Sequence, residues 1–218
     1  MRLVIRLLLF FCLSGKVLAA GQVDSTRNSK LAILAKKMHL KETELEEGDY
    51  EVRIWNKCGL CFGDAQMLYR LIKKQKSFTV FKYIILSDQR GFRHATSFKP
   101  TVPVTDNLWS RLVEQGILTL PDQAAIHDQL FPKPQKDSTW TVIEADGSVS
   151  VKAKIRQNRS VLISDGESYY FDVFSATGYH NYGYSNPREY LKAMPTIAEL
   201  QKVVGILDEL APAFNSTN

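Results

Sequence analysis

Residues 50–87 read YEVRIWNKCGLCFGDAQMLYRLIKKQKSFTVFKYIILS, and the secondary structure assigned to them decides the fold. The opening is a strand: Tyr50, Val52, Ile54 and Asn56 alternate with Glu51, Arg53 and Trp55 in a run rich in β-branched and aromatic residues. Residues 67–74 admit two readings. Met67, Leu68, Leu71 and Ile72 fit one face of a helix, and strand, C-x-x-C, helix is a thioredoxin-like order. Residues 68–74 also fit a strand, joined through polar Gln75-Lys76-Ser77 to 78–86, where Val80, Tyr83, Ile84 and Ile85 supply β-formers. We prefer the three-stranded meander.

Working outward, residues 88–100 (DQRGFRHATSFKP) read as a loop. A helix follows, with Thr105 or Asp106 as its cap. Leu108, Leu112 and Val113 form its inner face, and Gly116 suits the left-handed position after it. Residues 124–135, which include His127, form a connector of no clear pattern. From Thr139 the period becomes two. Residues 140–145, Asp146-Gly147 and 148–155 predict a tight hairpin, because Asp-Gly supplies the positive φ angles of its turn. Residues 160–164, Asp165-Gly166 and 167–175 predict a second hairpin, so that 139–175 holds four antiparallel strands. Residues 179–184 add another. Thr196 and Glu199 suit a capping box, and Ile197, Leu200, Val203, Val204, Leu207 and Leu210 line one face of a closing helix. The expected class is α+β, a mainly antiparallel sheet of seven or eight strands with two or three helices packed on it.

Five short motifs carry a resemblance. These are E-V-R-I-W at 51–55, L-Y-R-L-I-K-K at 68–74, L-W-x-R-L-x-x-x-G-I-L-T-L-P-D at 108–122, D-G-x-x-Y-Y at 165–170 and Y-x-Y-S-N-P at 182–187. Together they resemble a group of secreted bacterial proteins that has no assigned function. The resemblance implies a second strand after E-V-R-I-W, in agreement with the meander. The C-x-x-C is not a feature of that group.

The first 20 residues have the pattern of a signal peptide. Arg2 and Arg6 give a positive start, 7–13 an apolar core, and Val17-Leu18-Ala19 a small-residue cleavage site. The apolar run is too short to span a bilayer. The expected organisation is therefore a signal peptide over 1–20, a polar and partly helical segment over 21–47, and a single α+β domain over 48–212. Within 21–47, Leu31, Leu34, Ala35 and Met38 mark a short helix, and the run KETELEE at 41–47 reads as a solvated connection. Cleavage leaves 25 basic residues against 23 acidic ones, lowering the net charge from +5 to +2. That is no electrostatic footprint for nucleic acid.

Cleavage also removes Cys12 and leaves Cys58 and Cys61 as a pair bound for an oxidising compartment. Two roles fit them. A disulfide closing so short a loop stabilises by ~2 kcal/mol in the loop-closure model. A redox-active pair needs a helix N-terminus that lowers the pKa of one thiol. Trp55 stands three residues before Cys58, and a helix follows Pro103 where a redox site has a strand. Both departures favour the staple. The scattered histidines and the lack of a second ligand pair speak against zinc. Tyr179, His180, Asn181, Tyr182 and Tyr184 are binding candidates, as an aromatic platform for a sugar ring or an extended peptide. The plainer reading is cross-strand packing of aromatic rings. His39, His94 and His127 carry no role, Asn186-Pro187 is turn chemistry, and the sequons at Asn158 and Asn215 matter only in a glycosylating host.

With no G-x-S-x-G, H-E-x-x-H or phosphate-loop pattern, the reading is an exported, periplasmic or secreted, non-enzymatic protein. It would use no cofactor and no metal. It would bind a protein, peptide or glycan through its sheet or loops, with no nucleic acid and no stable membrane anchor after signal cleavage. The alternatives are a thiol–disulfide oxidoreductase using Cys58 and Cys61, and a hydrolase whose site is assembled from scattered residues. Mass spectrometry of the exported protein should find its N-terminus at Ala20 or Gly21; a protein still starting at Met1 contradicts the signal-peptide reading.

Overall fold

The computed structural model describes residues 25–133, 138–154 and 163–214, so residues 1–20, read above as a signal peptide, lie outside the described residues. Over these residues the chain is α+β, with five helices and eight strands. The meander is present. β1 (Tyr50–Cys58), β2 (Met67–Lys74) and β3 (Ser77–Asp88) pair antiparallel in sequence order. A fourth strand, β4 (Gly91–Phe98), continues the meander where a loop was expected. Its signal was the turn: the Asp88 carboxylate accepts from Arg90 N at 2.8 Å, and Gly91 has a φ of 104°. Aspartate first and glycine fourth is ordinary turn chemistry.

β7 (Glu167–Ser175) lies against the other edge of β1, and β8 (Gly178–Ser185) closes the six-stranded sheet in the order β4-β3-β2-β1-β7-β8. This arrangement overturns the second expected hairpin. Both edges of β7 are occupied, by β1 and β8, so no edge remains for a strand over 160–164. Ile163 and Ser164 are not in a strand, and residues 160–162 lie outside the described residues. The first hairpin does form, as β5 (Ser138–Ile143) and β6 (Val149–Lys154), a separate two-stranded sheet turning at Asp146-Gly147.

β1 is the central strand and is buried on both sides, with Val52, Ile54 and Trp55 fully enclosed. Val52 and Ile54 face a helical layer made of α2 (Asp106–Glu114), α4 (Pro187–Ala193) and α5 (Ala198–Leu210). On that face Leu71, Phe171, Val173 and Tyr182 meet Leu112, Leu200, Val203, Ile206 and Leu207. The expected inner face of α5 is buried as read, but the helix starts one residue late for the capping box. Its N-cap is Ile197, and no side chain caps it. In α2 Trp109 is buried and Val113 is half-exposed, the reverse of the expected use of Val113; Gly116 does take the left-handed conformation. The 124–135 connector holds a 3₁₀ turn (Gln123–Ile126) and a one-turn helix, α3 (His127–Leu130). Asn186 is left-handed, and Pro187 starts α4 instead of closing a turn.

Trp55 points to the opposite face. There α1 (Ser25–Lys37) lays Leu31, Leu34 and Ala35 on Trp55, Leu68 and Ile85. No helix among the described residues is long and apolar enough to cross a membrane.

Candidate functional site

The pleat divides the five residues of the aromatic platform between two faces. Register pairs Tyr182 with Phe171 and Tyr184 with Tyr169, on the helical side, and His180 shares that side. Tyr179 and Asn181 stand on the α1 side. Tyr182 and Tyr184 are buried, and each is engaged by the 117–123 loop. The Tyr182 hydroxyl donates to Ile117 O at 2.7 Å and the Tyr184 hydroxyl to Pro121 O at 2.8 Å. His180 Nε2 lies 3.2 Å from Leu120 O. Two outward N–H groups of β8 are taken up as well: Gly183 N donates to Asp122 Oδ2 and Ser185 N to Gln123 Oε1. Stacking of Tyr182 on Phe171, with ring centres 4.5 Å apart, completes the contact. Burial raises the pKa of both phenols, so they remain neutral donors. These residues fasten a loop over an edge strand.

Tyr179 and Asn181 belong instead to a polar row that crosses the α1 side of the sheet. Register sets Asn181, Asp172, Arg53 and Arg70 side by side on β8, β7, β1 and β2. Asp172 is buried and accepts from Trp55 Nε1 at 2.8 Å and from the Tyr179 hydroxyl at 2.6 Å. Asn181 donates in turn to the Tyr179 hydroxyl. Arg53 and Arg70 are directly opposite, a repulsive pairing by itself. Glu51 resolves it, accepting from Arg53 Nε at 2.6 Å and from Arg70 Nε and Nη2 at 2.9 and 3.0 Å. Arg53 also lies over the Phe174 ring at 4.8 Å.

The KETELEE segment closes over this row. Arg70 Nη2 donates to Lys41 O at 2.6 Å and to Thr43 Oγ1 at 2.9 Å. Lys74 donates to Glu44 O and pairs with Asp49. The stretch read as a solvated connection is therefore a strap, held through its backbone carbonyls and the Thr43 hydroxyl while its acidic side chains remain largely outside.

The cysteines occupy neither of these places. Cys58 ends β1, and the chain runs through a loop directly into β2, with Cys61 at disulfide distance from it. The loop is pinned further by three hydrogen bonds: Gly59 N to Gly166 O, Cys58 N to Gln66 Oε1 and Gln66 Nε2 to Phe62 O. Gly63, at a φ of +92°, lies so close to the end of β3 that a Cβ there would stand 2.5 Å from Ser87 Oγ. Two large apolar side chains project from this loop, Leu60 at 79% exposure and Phe62 at 56%. No sequence signal marked them, because an apolar residue between or just after two cysteines reads equally well as core. Among the described residues no group of three or more His, Cys, Asp and Glu is placed to hold a metal ion.

No family model, curated protein or solved structure matches the chain.

The polar row carries a pH signature. Burial raises the pKa of the Asp172 carboxyl, and the hydrogen bonds from Tyr179 and Trp55, with the Arg53 charge, only partly offset it. A raised carboxyl binds its proton more readily folded than unfolded. Its contribution to stability is thus greatest below the ordinary Asp range and is lost as pH rises towards the folded-state pKa. Glu51 works in the opposite sense: burial pushes it up, but Arg70, Arg53 and Thr43 together hold it below its usual value, so its contribution fades as pH falls. Asp172→Asn keeps an acceptor for Trp55 and removes the titration. In denaturant melts, the wild type should gain stability relative to this variant between about pH 7 and about pH 4. Asp172→Ala leaves the indole N–H without its acceptor and should cost about 1–3 kcal/mol.

Proposed function

We propose that the chain is an exported, non-enzymatic protein that binds a partner through the cysteine-closed loop. The observation that carries this reading is the exposure of Leu60 and Phe62 on a loop tied down by a cysteine pair and three hydrogen bonds. An apolar side chain gains nothing from being held in water, and a flexible loop would let both fold back. Fastening the backbone keeps them presented and removes, before binding, the ordering entropy that a partner would otherwise have to offset. A pinned apolar pair of this kind is a binding anchor.

Export is supported by the 1–20 segment and by a cysteine pair at disulfide distance, which suits an oxidising compartment. The local geometry favours a staple over redox chemistry. A reactive thiol in a C-x-x-C site takes its low pKa from a helix N-terminus, and Cys58 instead ends a strand whose next element is another strand.

A photo-crosslinking residue at position 60, in the protein exported by its own host, should give a discrete adduct. The same residue at Lys76, in the exposed β2–β3 turn, should give none. Replacing both cysteines by serine should weaken the adduct while preserving the sheet. Equal labelling from positions 60 and 76, or efficient insulin reduction by the reduced protein, defeats the proposal, and the second result promotes Cys58 and Cys61 to a redox pair.

A further inference from the structure

The two edges of the main sheet are treated differently. At β8 the 117–123 loop lies alongside, and Asp122 and Gln123 accept outward N–H groups. At β4 pairing is with β3 alone, and no described residue bonds to the outer side of its backbone. One irregularity marks the strand: the register shifts between Leu86 and Ser87, placing Arg93 as the extra residue of a bulge. Beyond it five residues, His94 to Phe98, stay in regular register with Leu86 to Lys82. An unpaired strand of this length is a template for another.

Next to that edge the helical layer stops. On the helical face of β3, Val80 is 2% exposed beneath α2, Ile84 is 37% exposed and Leu86 is 51% exposed. Register sets Thr96 beside Ile84 and His94 beside Leu86, and brings Phe98, also exposed, to the same face beside Lys82. Ile84, Leu86 and Phe98 therefore form an apolar stripe along an open edge. The cysteine loop adjoins the same end of β3 on its other face, where Gly63 lies against the Ser87 side chain. Cations outnumber anions around the edge. Lys82, Arg90, Arg93 and Lys99 outnumber Asp88, which is already paired with Arg93 at 2.6 Å.

We propose that β4 accepts an extended acidic peptide segment as a seventh strand. Its backbone pairs with residues 94–98, and alternate apolar side chains rest on Ile84, Leu86 and Phe98. This rests on the reading of the adjoining loop as a binding anchor and names the class of partner. Strand addition supplies affinity through main-chain hydrogen bonds and specificity through alternate side chains. The charge selects the occupant: a second copy would bring the same basic edge against itself, whereas acidic residues flanking the strand meet Arg90 and Lys99.

The probe is a capped peptide of alternating glutamate and valine, about nine residues long, titrated into the full mature protein and followed by amide NMR shifts and hydrogen exchange. Residues 94–98 should gain protection. The lysine-for-glutamate peptide should bind about tenfold more weakly, as the loss of a few surface charge pairs allows. N-methylation of alternate peptide amides should abolish binding, which side-chain docking alone would tolerate. Arg90→Glu with Lys99→Glu, both on the surface, should invert the preference between the two peptides. No added protection at 94–98 with millimolar peptide overturns the proposal, as does undiminished binding of the N-methylated form. Protection at 94–98 that grows with protein concentration alone also overturns it, since the occupant would then be a second copy. If the position-60 adduct forms but the peptide leaves 94–98 unprotected, only the strand proposal fails; protection without an adduct removes the loop anchor instead.

Discussion

A carboxylate inside a sheet needs partners, and the architecture of the α1 side follows from where Glu51 finds them. Glu51 sits in the central strand at 2% exposure, where an unpaired charge would cost several kcal/mol. Arg53, two residues along the same strand, satisfies one oxygen, and Arg70 on β2 spans both. The same Arg70 Nη2 that meets Glu51 also reaches Lys41 O and Thr43 Oγ1. The chain between α1 and β1 is thereby drawn across the sheet. α1, which leads into it, covers Trp55, Leu68 and Ile85 with its apolar residues. Trp55 then finds the acceptor for its indole N–H on β7, in Asp172. One buried carboxylate thus ties β1, β2 and, through Arg70, the strap that follows α1.

How much of this was legible depended on whether the information was local. β1, β2 and β3 could be read because a half-buried strand writes its pleat into the sequence as alternation. β4 could not be read the same way. Phe92 and Ala95 both face the α1-side core, but the bulge at Arg93 sets them three residues apart and breaks the alternation, so only the Asp88-to-Gly91 turn announced the strand. The hairpin expected at Asp165-Gly166 failed for a reason no local pattern holds, namely that both edges of β7 were already taken by β1 and β8. The run KETELEE correctly announced exposed side chains. It could not show that its Lys41 carbonyl accepts from an arginine almost thirty residues away.

The candidate site divides in the same way. Parity alone places His180, Tyr182 and Tyr184 on one side of β8 and Tyr179 and Asn181 on the other, so the split was available in the sequence. The use of the first three to fasten the 117–123 loop was not, since it depends on where a distant segment docks. The C-x-x-C spacing marked the loop that the cysteine pair closes. What the loop presents became visible only once the neighbouring core was filled by other residues, leaving Leu60 and Phe62 outside it.

Arg70, held in place by Glu51, fixes the strap and with it α1. Site-resolved amide exchange on Arg70→Met tests it directly, because methionine keeps the length and apolar stem of the side chain and removes the guanidinium. Asp49 N, bonded to Glu46 O, and the amides of α1 should lose about tenfold or more of their protection, the order expected when buried ion-pair contacts are removed. Amides of β7 and β8 should keep theirs. Unchanged protection of the strap and α1 would contradict the claim, as would uniform loss across the whole sheet.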